Sequence, residues 1–227
     1  MPTDVNRGQP RTSRPRTSQP RTSQARTRLA RAAVVAAART LFLDRGYAAT
    51  RIEMISELAD VPPATVYRLF SSKLGILTEL LAVSIAGDDE AVPLEERSHV
   101  RTLLADPDPR SQLAGFAGVT RGIMTRTEPL HRILVSAAGS DPDAAELLAE
   151  QTRHRQRGQA QIARVLAETG ALRPDLREQD AADIIHALMS PEVYRLLVHD
   201  SAWPPDRYER WLAQTLIDQL LPPAAAR

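Results

Sequence analysis

Residues 50–73 read TRIEMISELADVPPATVYRLFSSK. Thr50 suits a helix N-cap, and Glu53, three residues on, completes the pattern of a capping box. Ile52, Ile55 and Leu58 recur at helical spacing with Ala59 beside them, so the spacing predicts a short amphipathic helix. Asp60 is the stop, since Asp tolerates a left-handed turn better than most residues with a side chain. Pro62 and Pro63 restart the chain, proline being at home in a first helical turn. A second short helix then runs from Pro63 to about Phe70, with small side chains, Ala64 and Thr65, near its beginning. Two helices joined by so short a turn form the unit that lays its second helix in a DNA major groove. Periodicity alone fits a helical hairpin inside a core equally well.

Over residues 31–77 the chain resembles the DNA-binding domain of the tetracycline-repressor (TetR) family of bacterial one-component regulators. The matching residues are Leu41-Phe42, Gly46-Tyr47, Ala49-Thr50, Ile55, Ala59, Val61, Thr65, Val66, Tyr67, Phe70, Ser72-Lys73 and Leu77. The resemblance implies that Thr65, Tyr67 and Lys73 contact DNA, chiefly its phosphates, and that Ala64 and Arg68 lie on or beside the reading surface. Arg51, Thr50 and Arg28 join this candidate set, Arg28 with Arg26 and Arg31 from the start of the preceding helix. The chain departs from the family pattern at Arg51, Ser56, Asp60, Pro62 and Leu74-Gly75, where threonine, alanine, glycine, serine and an acidic pair are usual. Losing serine at position 62 removes a cap and a phosphate contact, and Arg51 is placed to supply a contact in its stead.

Outward from this stretch, charge divides the chain. Residues 1–73 hold 13 basic and five acidic side chains, and residues 74–227 hold 16 and 23, within a total of +1. A basic N-terminal third on an acidic remainder is the asymmetry of a protein that meets nucleic acid with one end. Only one of the 29 basic residues is a lysine, Lys73, and there is no cysteine, which excludes disulfides and thiolate chemistry. Residues 1–25 carry an imperfect repeat, RTSRP-RTSQP-RTSQA, without an apolar face. They read as a disordered basic arm, either attracted to phosphate or without a dedicated role. The repeated prolines exclude the amphipathic helix of a transit peptide, and no secretory signal follows.

The pattern predicts an all-α protein; the resemblance implies an N-terminal three-helix helix-turn-helix domain over 26–73, then a helical ligand-binding and dimerisation domain over 74–221, with 222–227 a disordered tail. The first helix is expected from about Thr27 to Arg45, with Val34, Ala37, Ala38, Leu41 and Phe42 as its apolar stripe and Gly46 as its stop. A fourth helix starts at Ser71 or Ser72 and is too short to span a membrane. Further helices are expected at roughly 94–105, 110–126, 129–138, 142–169, 178–189, 191–199 and 205–221, with breaks marked by Asp, Ser, Gly and Pro. The segment Ser190–Arg195, with Trp203, Tyr208 and Trp211, resembles the C-terminal region of many actinobacterial-type members.

The resemblance implies a homodimer in which the last two long helices pair with their copies. Tyr208, Trp211, Leu212 and Leu216 are the candidates there, and the stripe faces either the core or a partner. It also implies a small-molecule effector held among the middle helices. By residue type the candidates are Phe116, Met124, His131, Leu134, His186, Met189 and Tyr194. The histidines lack ligand partners at i+3 or i+4, so no metal site is expected. No phosphate-binding glycine loop, nucleophile elbow or HExxH motif is present, so neither an enzyme nor a cofactor is expected. The expected protein is a cytoplasmic, DNA-binding repressor that leaves a palindromic operator when an effector binds. Two other classes stay open: a non-sensing protein that coats DNA, and a helical enzyme with a vestigial helix-turn-helix.

Overall fold

The computed structural model of the chain describes residues 20–87 and 97–223, which form helices and, among the described residues, no strand. In chain order the helices are α1 (Pro20–Ala49), α2 (Ile52–Ala59), α3 (Pro63–Phe70), α4 (Lys73–Ala86), α5 (Ser98–Leu104), α6 (Pro109–Ala138), α7 (Pro142–Glu168), α8 (Glu178–Leu188), α9 (Pro191–Tyr194) and α10 (Pro205–Leu220), with a π-helical turn at Arg195–Asp200 after α9. The expected all-α architecture is therefore present. Most of the 1–25 arm and of the 222–227 tail lies outside the described residues. Residues 20–25, assigned to the arm, instead continue α1. Pro20 sits at the start of that helix, where it costs no hydrogen bond, and no proline follows to stop it.

Local chemistry explains most boundaries. Ser72 caps α4 by accepting the Gly75 N–H, Asp108 caps α6, Asp141 caps α7 and Ser190 caps α9. Gly46 leaves helical geometry at φ 76° and ψ 170°, as a stop would, but the chain resumes a last turn to Ala49. That kink frees carbonyls at the end of α1, and Thr50 turns inward to meet them. Its hydroxyl donates to Gly46 O at 2.8 Å and to Leu41 O at 3.3 Å. Thr50 is thus fully buried and caps nothing; the α2 N-cap is Arg51, without a side-chain bond.

The break expected at Glu128-Pro129 is absent, and α6 runs through it. An interior proline costs a helix roughly 3 kcal/mol. Burial on both sides offsets this: Met124 lies in one apolar core, Leu130 and Leu134 in the other. The first core joins α1 to α4 with Leu130, Leu134 and Ala137 of α6 and Ala144 and Leu147 of α7. The second gathers α5, the first half of α6, the later part of α7, α8, α9 and α10. Ile76, Leu77, Leu80 and Leu81 of α4 belong to the first core, so the division drawn at 73/74 does not fall between the cores. Pro129 lies where one core gives way to the other.

Candidate nucleic-acid interface and ligand cavity

The turn between α2 and α3 forms as its residues dictate. Asp60 is left-handed (φ 51°, ψ 42°), and Val61 N–H closes back on Ser56 O at 3.1 Å. The Ser56 hydroxyl donates to Val61 O, so the serine that stands where alanine is usual locks the turn from inside. Ile55, Val66 and Phe70 are buried and fix α3 against α1 and α2. The opposite side of α3 presents Ala64, Tyr67 and Arg68 to solvent, with Thr65 half-buried among them. Tyr67 is 47% exposed, high for an aromatic side chain that no neighbour in the chain requires. Arg51 and Arg28 are exposed as well. Pro62 offers no side-chain cap, so the amino end of α3 is closed only through Pro62 O, which receives the Thr65 and Val66 N–H groups.

Two members of the basic set are committed internally. Arg31 donates to Leu69 O at 3.2 Å, pairs with Glu79 at 2.9 Å and lies 4.9 Å from the Phe70 ring centre, so it clamps α1 to α3 and α4. Lys73 donates to Tyr47 O at 2.6 Å and to Thr50 O at 2.9 Å, with its ammonium 4.1 Å from the centre of the Tyr47 ring. An ammonium has three donors, so one remains for an outside acceptor. Burial lowers the Lys73 pKa, with Asp141 opposing. Burial, then Asp141 and Asp143, push the Tyr47 phenol up to about 12. The amino end of α7 thus faces the pair that ties α1 to α4. Among the candidates, Thr50 is the one whose hydroxyl is spent inside the protein.

A cavity of about 200 Å³ opens between α4, α5, α6, α7 and the α8–α9 joint. Of the candidates chosen by residue type, Phe116, Met124, His131, Leu134 and Met189 line it. His186 and Tyr194 do not. The His186 ring bonds Gln159 Oε1 at 2.7 Å from behind the wall, and the Tyr194 hydroxyl meets Thr125 Oγ1 at 3.0 Å. Tyr194 is packed edge-on to Tyr208, with ring centres 4.9 Å apart, in the second core.

Sequence reasoning missed the α7 wall: Gln151, His154, Arg155, Gly158 and Gln159. Their spacing of three and four residues was the available signal, a polar stripe on one helical face. It also missed Leu81 and Ile85, through which α4 itself forms part of the wall. His131 approaches Glu192 at 3.3 Å, and burial lowers its pKa despite that carboxylate. Near the carboxyl end of α4, Arg126 donates to Ser84 O at 2.9 Å and Arg97 to Ala86 O at 2.8 Å, a favourable place for cations.

Tyr208, Leu212 and Leu216 are fully buried within the chain's own second core. The stripe on α10 therefore faces inward, and of the four residues assigned to a dimer contact only Trp211 is partly exposed. No group of three or more potential metal ligands occurs among the described residues. Among them, too, no single helix is long and apolar enough to cross a membrane. The bent pair α3–α4 passes by composition alone, but its apolar residues Val66, Phe70, Ile76 and Leu77 fill the first core.

A locked turn, an exposed short helix with small and aromatic side chains, and a basic approach define a helix-turn-helix DNA-binding regulator. Residues 34–80 match the family model for bacterial regulatory proteins of the tetR family. An uncharacterized HTH-type transcriptional regulator of Bacillus subtilis (strain 168), YdeS, is 30% identical over 167 residues, 73% of this chain and 77% of that protein. The chain belongs to the TetR family of transcriptional regulators. Similar folds include a transcriptional regulator from Saccharomonospora viridis in complex with choline (TM-score 0.66, 20% identity, 86% of this chain and 98% of that one). NalD, the secondary repressor of the MexAB-OprM multidrug efflux pump in Pseudomonas aeruginosa, is a further one (TM-score 0.65, 21% identity, 86% and 98%).

Proposed function

We propose that this regulator is a homodimeric repressor that leaves a two-fold operator when a small molecule enters the cavity. The observation that carries this reading is the double role of α4. Leu81 and Ile85 form part of the cavity wall, while Lys73, in the first turn of the same helix, is bonded to the end of α1. A ligand that displaces the far end of α4 moves the recognition helix α3, which is packed to it through Phe70 and Leu77. Binding of effector and of DNA are then coupled, and the coupling acts equally in both directions. NalD, a repressor, has the same fold, and the Saccharomonospora viridis regulator was solved with choline; both support a ligand-responsive repressor by analogy.

In this reading Thr65, Tyr67 and Lys73 contact DNA, chiefly its phosphates, Ala64 and Arg68 lie on or beside the reading surface, and Arg51 and Arg28 extend the phosphate contacts. Two copies of α3 must lie about one DNA turn apart to read a palindrome. The dimer forms through α8, α10 and the π-helical turn after α9, where Ile184, Leu188, Trp211 and the 50% exposed Leu196 leave apolar surface uncovered. The protein acts in the cytoplasm on DNA, without a cofactor and without catalysis.

The test is binding of the full chain to the DNA beside its own gene, in competition with random duplex. A repressor resists the competitor and is released by a cavity ligand. Binding that random duplex abolishes would show a coating protein instead.

A further inference from the structure

We propose that the cavity takes a compact amphipathic monoanion, an alkyl or aryl body carrying one carboxylate, with the carboxylate on Arg155 and Gln159. This rests on the cavity being the effector site. Its body is apolar, walled by Phe116, Ile123, Met124 and Ile162. Its polar groups are Gln151, His154, Arg155 and Gln159 on α7 and Thr120, Thr127 and His131 on α6, the two threonine hydroxyls donating to Phe116 O and Ile123 O of their own helix, and no carboxylate lines it. Arg155 has a buried Nε with no hydrogen-bond partner among the described residues. A buried donor left unpaired is costly, and an arriving acceptor recovers that cost. The Gln159 carbonyl is engaged by His186, which leaves its NH₂ as the open group, again a donor.

Arginine remains charged throughout the physiological range, so the site carries a fixed cation with a planar fork suited to carboxylate. The carboxylate that acts on it electrostatically is Glu192. It does not line the cavity, it lies beyond ion-pair distance of Arg155, and one of its oxygens meets His131. A neutral carbonyl can accept the Arg155 N–H but leaves its charge uncompensated, and a quaternary cation is repelled. At about 200 Å³ the space is small for a ligand pocket, so the body is short or bicyclic.

The experiment is calorimetric titration of the full chain with matched probes: hexanoate, hexanamide and hexyltrimethylammonium, with 2-naphthoate and 2-naphthamide as the aryl pair. The expected result is a carboxylate bound about tenfold or more tighter than its amide, with the ammonium weakest. Arg155→Leu removes that preference, weakening the carboxylate far more than the amide; Arg155→Lys keeps part of it. Equal binding of carboxylate and amide by the native protein overturns the anion assignment, as does a preference that survives Arg155→Leu in a protein with native helicity. No binding of any probe also overturns it. Ile123→Trp, which enlarges a half-buried side chain of the apolar wall, separates this from the underlying reading. If probes bind and Ile123→Trp does not weaken them, ligands sit elsewhere and the cavity itself is not the effector site.

Discussion

The ammonium of Lys73, the only lysine in the chain, is held 2.6 Å from the carbonyl oxygen of Tyr47 and 4.1 Å from the centre of the Tyr47 ring. The same nitrogen bonds Thr50 O at 2.9 Å, so one side chain closes the end of α1 onto the start of α4. Lys73→Met keeps the stem and removes all of these contacts. The loss of charged hydrogen bonds and of the ring contact should cost about 1–3 kcal/mol. DNA affinity should fall as well, and the slope of log affinity against log salt should drop by about one. A variant with unchanged melting temperature and unchanged salt slope would falsify both roles.

Gly75 is a helical glycine that should resist improvement. Replacing a glycine inside a helix by alanine ordinarily stabilises by roughly 1 kcal/mol. Here a Cβ would stand 2.0 Å from the Phe70 carbonyl oxygen, where α3 hands over to α4. Backbone cannot step aside as a flexible side chain does, so Gly75→Ala should destabilise by about 1–3 kcal/mol. Thermal melting decides it; a rise in melting temperature would mean that α3 and α4 part easily. The same contact explains why an acidic residue is not accommodated at this position.

Glu128 is 1% exposed, with Arg132 at 3.2 Å and His199 at 3.0 Å, yet neither carboxylate oxygen has an aligned hydrogen bond. Both partners reach solvent, at 56% and 41% exposure, so they can turn to water if the carboxylate is removed. An apolar side chain of similar length should then be tolerated. Glu128→Met is expected within about 1 kcal/mol of the native stability, or above it. Glu128→Ala, which leaves a hole beside Pro129, should cost about 2 kcal/mol or more. Chemical denaturation of the two variants tests this, and a methionine variant as damaged as the alanine one would show that the ion pairs themselves stabilise the junction.

His131 and His186 make the protein sensitive to mild acid. Burial lowers both pKa values; Arg155 adds to this, while Glu192 opposes it. The unfolded chain takes up these protons near pH 6.5, whereas the folded chain holds them off until a lower pH. Stability is therefore fully present above about pH 6.5 and falls as pH drops toward the folded values. The difference in melting temperature between native protein and His131→Gln should change between pH 7.5 and 5.5, with the variant losing less. Parallel curves would show that His131 protonates in the fold as easily as outside it.

The sequence was most legible where one residue type has one dominant use. Pro63 and Phe70 bound α3, and Asp60 sits left-handed between the two helices, both as composition and spacing imply. Legibility failed where a distant contact decided. Thr50 has the look of a cap, but the kink at Gly46 offered its hydroxyl carbonyls that only the folded end of α1 presents. Pro129 has the look of a break, but it lies between two stretches of α6 whose burial outweighs its cost. The aromatic and apolar candidates Phe116, Met124 and Met189 do line the cavity, while Tyr194 went to the core. Arg155 escaped notice because a charged residue on a polar stripe is usually at the surface, and nothing in the spacing shows that an unfilled space lies beside it.

The first core has a consequence for anyone recombining such proteins. Leu130 and Leu134 of α6 and Ala144 and Leu147 of α7 complete the interior of the first four helices, although residues 50–129 lie between them and α1. A chimera cut after Lys73 would carry the reading helix away from part of its own foundation. It would also leave apolar side chains of α6 and α7 facing a foreign surface. A graft that keeps the packing beneath α3 has to transplant the α6–α7 hairpin tip, residues 130–147, together with the head, so the foundation of that helix is discontinuous in sequence.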